Sequence, residues 1–110
     1  MERNKIKERR KSRRYPSNLK GQYFSKERKG DGKECTIINI SLNGASLAFY
    51  TLENISVSST LLLEIFDRKG KESTNVEGIV RWVKQGKKDF ICGIELTETL
   101  DEAKLTTLVS

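Results

Sequence analysis

Four arginines, Arg9, Arg10, Arg13 and Arg14, stand within six positions near the start of the chain, in the stretch ERRKSRRYP at residues 8–16. A guanidinium is permanently charged and planar, with its N–H donors in a rigid fork that meets phosphate or carboxylate oxygens two at a time. Such a cluster reads as a solvated basic tail, as a nucleic-acid arm, or as a clamp for a small phosphate-bearing ligand. A second polar cluster, NISLNG at residues 39–44, lies about 25 residues downstream. Asn39 and Ser41 are two apart, so on an extended chain their side chains point the same way. Gly44 follows in a turn, where backbone can approach a ligand closely or take φ > 0. The plain alternative for NISLNG is a polar strand end running into a turn, and for the arginines a charge run.

The residues that are missing narrow the chemistry. The chain contains no histidine, which removes the commonest general base and metal ligand. No serine or cysteine is paired with a base, and no glycine loop of the phosphate-cradling kind precedes a helix. Catalysis is therefore not expected, nor a metal or cofactor. The two cysteines, Cys35 and Cys92, sit in apolar segments and read as buried thiols. Charge is unevenly placed. Residues 1–14 carry eight Lys/Arg against two Glu, which accounts for the whole net charge of +6, so the remaining 96 residues balance to zero. A general nucleic-acid binder spreads its basic residues over a face of the fold. No apolar run approaches the ~18 residues of a membrane span, and Ile6 is the one strongly apolar residue in the basic segment, a poor basis for membrane insertion. The expected location is cytoplasmic.

The elements that must position these residues are short strands. At 110 residues the chain fits one domain. NLKGQYFS (18–25), CTIINI (35–40), ASLAFY (45–50), STLLLEIF (59–66), TNVEGIVRWV (74–83) and DFICGIEL (89–96) each read as a strand, separated by glycine-bearing polar turns such as KERKGDGKE and DRKGKES. Alternation sets Leu61, Leu63 and Ile65 on one face. It also sets Val76, Gly78, Val80 and Trp82 together, so Trp82 reads first as core. Gly78 and Gly93 mark bends or bulges. TLDEAKLTTLVS (99–110) can form a helix that buries Leu100, Ala103 and Leu108, capped by Thr99 or Asp101. Six evenly spaced strands and a late helix argue a small antiparallel barrel or sandwich.

RRKSRRYP contains Arg-x-x-x-Arg, Arg10 to Arg14, and NISLNG supplies Asn-x-Ser-x-x-Gly. In this order, on an all-β background with GIVRWV and FICGIEL as a final strand pair, the chain resembles the PilZ domain, a family of bacterial receptors for the second messenger cyclic di-GMP. The resemblance spans roughly residues 8–98. It implies a six-stranded antiparallel β-barrel over residues 15–110, a flexible basic arm over 1–14, and a short C-terminal helix. It implies signal transduction without catalysis, with cyclic di-GMP as ligand and an unidentified effector protein as the readout. Arg10 and Arg14 would hold guanine and phosphate, with Arg9 and Arg13 sharing the work. Asn39 and Ser41 would contact the other guanine face and a phosphate, Gly44 would leave room, and Trp82 is a further contact. Aspartate is commoner than asparagine at position 39.

The chemistry agrees. Guanine presents O6 and N7 as paired acceptors, which the arginine fork meets bidentately, and the same fork serves phosphate. The competing reading is a small β-barrel nucleic-acid-binding protein with a basic arm, which requires aromatic and basic residues exposed together on the sheet.

Overall fold

A computed structural model describes residues 14–26, 32–50 and 55–110. Six strands form in chain order: β1 (Tyr15–Ser25), β2 (Lys33–Ile40), β3 (Gly44–Phe49), β4 (Thr60–Phe66), β5 (Ser73–Gln85) and β6 (Phe90–Leu96), followed by the helix α1 (Glu102–Val109). They close into a barrel in the order β1-β2-β3-β6-β5-β4, with every neighbouring pair antiparallel. Closure leaves no long unpaired edge. The expected barrel is the observed one. Its first strand starts three residues earlier than NLKGQYFS, because Tyr15 and Pro16 already pair with Ile40 and Asn39.

The interior follows from two-residue alternation. Leu61, Leu63 and Ile65 of β4, Leu47 and Phe49 of β3, and Cys92, Ile94 and Leu96 of β6 are all buried in one cluster. Phe49 lies at its centre, edge-on to Tyr23 at 5.7 Å and stacked on Phe90 at 5.8 Å between ring centroids. Rings at these separations add stabilisation beyond the area they bury. Both thiols lie in this cluster. Burial pushes Cys35 and Cys92 up from 9.0 to about 12, and for Cys35 the neighbouring Cys92 adds to the rise.

Asp101 caps α1, its carboxylate accepting from the Lys104 amide at 2.7 Å. The helix buries Leu105 and Leu108, and Leu100 is buried just before it. Ala103 is exposed, contrary to the expected pattern. Leu100 is anchored by its amide, which donates to the Leu42 carbonyl at 2.9 Å. The helical period then starts after the cap, so its inward stripe runs through Leu105 and Leu108 and leaves Ala103 outside.

Three register shifts interrupt the ladders. On β2, Ile37 opposes Leu47 and Asn39 opposes Ser46, so Ile38 is an extra residue. On β5, Val80 opposes Ile94 and Trp82 opposes Gly93, so Arg81 is an extra residue. On β1, an extra residue lies between Pro16 and Leu19. Each bulge resets which side chains face in. After Arg81 the inward position passes to Val83, which packs on the core, and Trp82 turns outward with 42% of its surface exposed. The core placement expected of Trp82 is thus corrected: the alternation through Val76, Gly78 and Val80 stops at the bulge.

Candidate functional site: a row across four strands

Residues directly opposed on neighbouring strands share a face. Asn39 opposes Ser46, Ser46 opposes Gly93, and Gly93 opposes Trp82. The register therefore lays a row across the outer wall, from β2 through β3 and β6 to β5. Three strand spacings make it about 14 Å long. The bulge at Ile38 puts Asn39 at one end, and the bulge at Arg81 puts Trp82 at the other.

Arg14 stands at the Asn39 end. Its Nη1 donates to Asn39 Oδ1 at 2.7 Å and reaches Ser46 Oγ at 3.4 Å. Arg14 is exposed and Asn39 half-buried, whereas Ser46 is only 5% exposed. A guanidinium has five N–H donors, and both bonds use Nη1, so the Nε and Nη2 hydrogens of Arg14 are not spent on Asn39 or Ser46. The last arginine of the first motif thus meets the first residue of the second. Arg9, Arg10 and Arg13 lie outside the described residues.

Ser41 and Gly44 are built into the turn between β2 and β3. Ser41 Oγ accepts from the amides of Asn43 at 3.2 Å and Gly44 at 3.1 Å, and donates to the Gly44 carbonyl at 3.3 Å. The backbone closes the same turn, Ser41 N donating to Gly44 O at 2.8 Å. At 2% exposure the hydroxyl is buried in the turn it shapes. Gly44 does not take a positive φ; among the described glycines only Gly70 does. Its role is close packing: a Cβ there would sit 2.7 Å from the Ile94 carbonyl oxygen on β6. Gly93 plays a matching part, because a Cβ there would collide with the Trp82 indole at Nε1 and Cε2. Trp82 lies flat on the space that Gly93 leaves.

Beside the row, Arg81 donates from Nε to Glu95 Oε1 at 2.7 Å and also makes an ion pair with it. Both side chains are exposed, so the pair contributes little to stability. Two cavities lie elsewhere. One of about 750 Å³ opens between β4, β5 and residues 97–101, and one of about 530 Å³ lies over β1 and β2 against the β4–β5 turn. Neither is lined by Asn39, Ser46 or Trp82. Among the described residues, no three metal-ligating side chains converge, and no helix is long and apolar enough to cross a membrane.

The family model of the PilZ domain matches residues 8–110. The chain belongs to the PilZ domain family. Among solved structures, it is similar to the Bacillus subtilis inhibitor of motility (MotI/DgrA), with a TM-score of 0.66 and 17% sequence identity. That match covers 86% of this chain and 46% of the other, so this PilZ chain spans about half the length of that protein. At this identity the likeness speaks for the shared fold. No curated protein matches the chain.

Ser46 and Gly93 did not stand out as site residues of this PilZ domain in the sequence. The available signal was a lone hydroxyl in the otherwise apolar GASLAF and a glycine inside FICGIEL, but only the register joins them to Asn39 and Trp82.

Proposed function

We propose that this chain is a non-enzymatic receptor that binds cyclic di-GMP across the row from Arg14 and Asn39 to Trp82 and relays it to a partner protein. The observation that carries the reading is the Arg14–Asn39 hydrogen bond of 2.7 Å, which brings the two family motifs into contact across the first strand pair of the barrel. The free N–H groups of Arg14 suit a phosphate or the O6/N7 edge of guanine. Arg9, Arg10 and Arg13 add donors from the arm. Trp82 offers an exposed indole face on which a base can stack. Ser41 contributes through its turn, and its 3.3 Å bond to the Gly44 carbonyl is the one a phosphate oxygen would replace.

Mechanistically, Arg14 is the fixed root of the arm, and the ligand recruits the arginines before it. Eight cations against two carboxylates in residues 1–14 repel one another, and a bound dianion offsets part of that repulsion. Closure of the arm over the row then changes the surface presented to an effector in the cytoplasm.

One observation favours the nucleic-acid reading instead. The 530 Å³ cavity brings Tyr50 and Phe66 together with Lys20, Arg68 and Lys69, the aromatic-and-basic combination that single strands use. Titration calorimetry of the full chain with cyclic di-GMP, GTP and a single-stranded oligonucleotide separates the two. Saturable heat with cyclic di-GMP alone is the expected result, and heat with the oligonucleotide alone overturns the receptor reading.

A further inference from the structure

Ser46 faces the middle of the row, with Asn39 on one side and Gly93 on the other. It is the only polar side chain of β3, and although it faces the outer wall the residue is only 5% exposed. Burying a hydroxyl without full hydrogen bonding is unfavourable. A hydroxyl can accept and donate at once. This one accepts from Arg14 Nη1 at 3.4 Å, but its own proton donates to no described residue. Gly44 and Ala48 flank it on the same side of β3 and carry nothing larger than a methyl, while the Trp82 indole covers the Gly93 side. A ligand atom can therefore reach Oγ along β3, beside the exposed Arg14.

We infer that the Ser46 hydroxyl is a ligand-contacting donor, sharing one phosphate oxygen of the bound nucleotide with the Arg14 guanidinium. The inference rests on the receptor reading above and adds a residue outside both motifs. The phosphate oxygen takes the Ser46 proton and an Arg14 N–H together, which completes the hydroxyl and fixes the phosphate at the centre of the row. The bases are then directed to its ends, one toward Asn39 and one toward Trp82. A charged acceptor makes both bonds stronger than neutral ones.

The test combines calorimetry with side-chain NMR on the full chain. The parent, Ser46→Ala, Arg14→Ala and the double variant are titrated with cyclic di-GMP. Exchange of the Arg14 Nε–H is followed in the ligand-free parent and Ser46→Ala. The expected result is a five- to twentyfold loss of affinity in Ser46→Ala, with Arg14 Nε–H exchange unchanged, because the 2.7 Å bond to Asn39 still holds the guanidinium. The double variant should lose less than the product of the single losses, since both groups serve one oxygen. Parent-like affinity in Ser46→Ala overturns the inference. So does a loss accompanied by faster Arg14 exchange in the ligand-free protein, which makes Ser46 a support for the arginine and nothing more. Absence of binding by the parent is a different failure: it removes the receptor reading itself, and the inference with it.

Discussion

Arg14 Nη1 lies 2.7 Å from Asn39 Oδ1, although 25 residues separate them in sequence. The bond ties Arg14, the last residue of the expected arm, to the end of β2. Anchoring lowers the ordering entropy left for binding to supply. It also makes Arg14 the arginine whose loss should matter most among those described. Arg14→Ala should weaken cyclic di-GMP binding by about 1.5–3 kcal/mol, the range for a lost charge-assisted hydrogen bond. Its urea midpoint should match the parent's, because Arg14 is exposed. Calorimetry and urea unfolding on the same preparations measure both, and parent-like affinity would reduce the arm to a charge run.

Trp82 is the only tryptophan in the chain, and it lies over Gly93 at the far end of the row. Its fluorescence is therefore a reporter for the site alone. Ligand stacking on the indole should change the emission intensity in proportion to saturation. Gly93→Ala should lift the ring off the sheet, because a Cβ cannot share that space, and shift the ligand-free emission to the red. Emission identical to the parent's in Gly93→Ala would show that the indole does not rest there.

Much of the fold was legible because alternation is a local signal. Leu61, Leu63 and Ile65 read as one inward face and are one, and the order of strands and helix follows from apolar runs cut by turns. The site was legible only where chemistry and register coincide. Asn39 and Arg14 carry motif chemistry, and the fold joins them. Trp82 misleads because one extra residue, Arg81, reverses a strand's faces, and nothing in GIVRWV announces a bulge. Ser46 and Gly93 stay hidden because their meaning depends on three strand pairings at once. For Gly44 the sequence indicates that a side chain is unwelcome. The reason, the Ile94 carbonyl 50 residues further along in the last strand, is visible only in three dimensions.

That reason predicts what Gly44→Ala should do. A methyl 2.7 Å from a backbone oxygen forces β3 and β6 apart, and overpacking of this kind costs about 1–3 kcal/mol. The loss should appear as a lower urea midpoint measured without ligand. An unchanged midpoint combined with weakened cyclic di-GMP binding would instead assign Gly44 to ligand clearance.

The buried thiols set an alkaline limit. Burial raises both from 9.0 to about 12 in the folded chain, whereas in the unfolded chain they ionise near 9. Below pH 9 both states hold the protons, and stability is unaffected. As pH rises from 9 toward 12 the unfolded chain releases protons that the folded chain keeps, so stability falls across that window. Urea midpoints at pH 8 and 10.5 should show the fall. It should be shallower in Cys35→Ala and Cys92→Ala, whatever stability those variants lose at pH 8. In the folded protein, iodoacetamide labelling at pH 8 should be slow, since the thiolate is the reactive form.

Asn39→Asp tests the site and the competing reading together. The asparagine uses its one oxygen on Arg14. What it turns toward a ligand is then an amide donor and a single remaining lone pair, a poor match for the N1–H and N2–H donors of guanine. A carboxylate has two oxygens. One can keep Arg14 with charge assistance while the other accepts from guanine, so the variant should bind cyclic di-GMP more tightly, by about 1 kcal/mol, the difference between neutral and charged hydrogen bonds. Two effects oppose the gain: the carboxylate must shed water, and its charge repels a nearby phosphate. Arg14 sits directly against it, and in the proposed mechanism Arg9, Arg10 and Arg13 join it, so the repulsion is offset and the gain wins. A single-stranded nucleic acid bound on this face gives the opposite sign, because an added negative charge weakens every phosphate contact regardless of sequence. Calorimetry of parent and variant at one salt concentration decides: tighter cyclic di-GMP binding supports the receptor, and oligonucleotide binding with no cyclic di-GMP signal in either protein supports the nucleic-acid barrel.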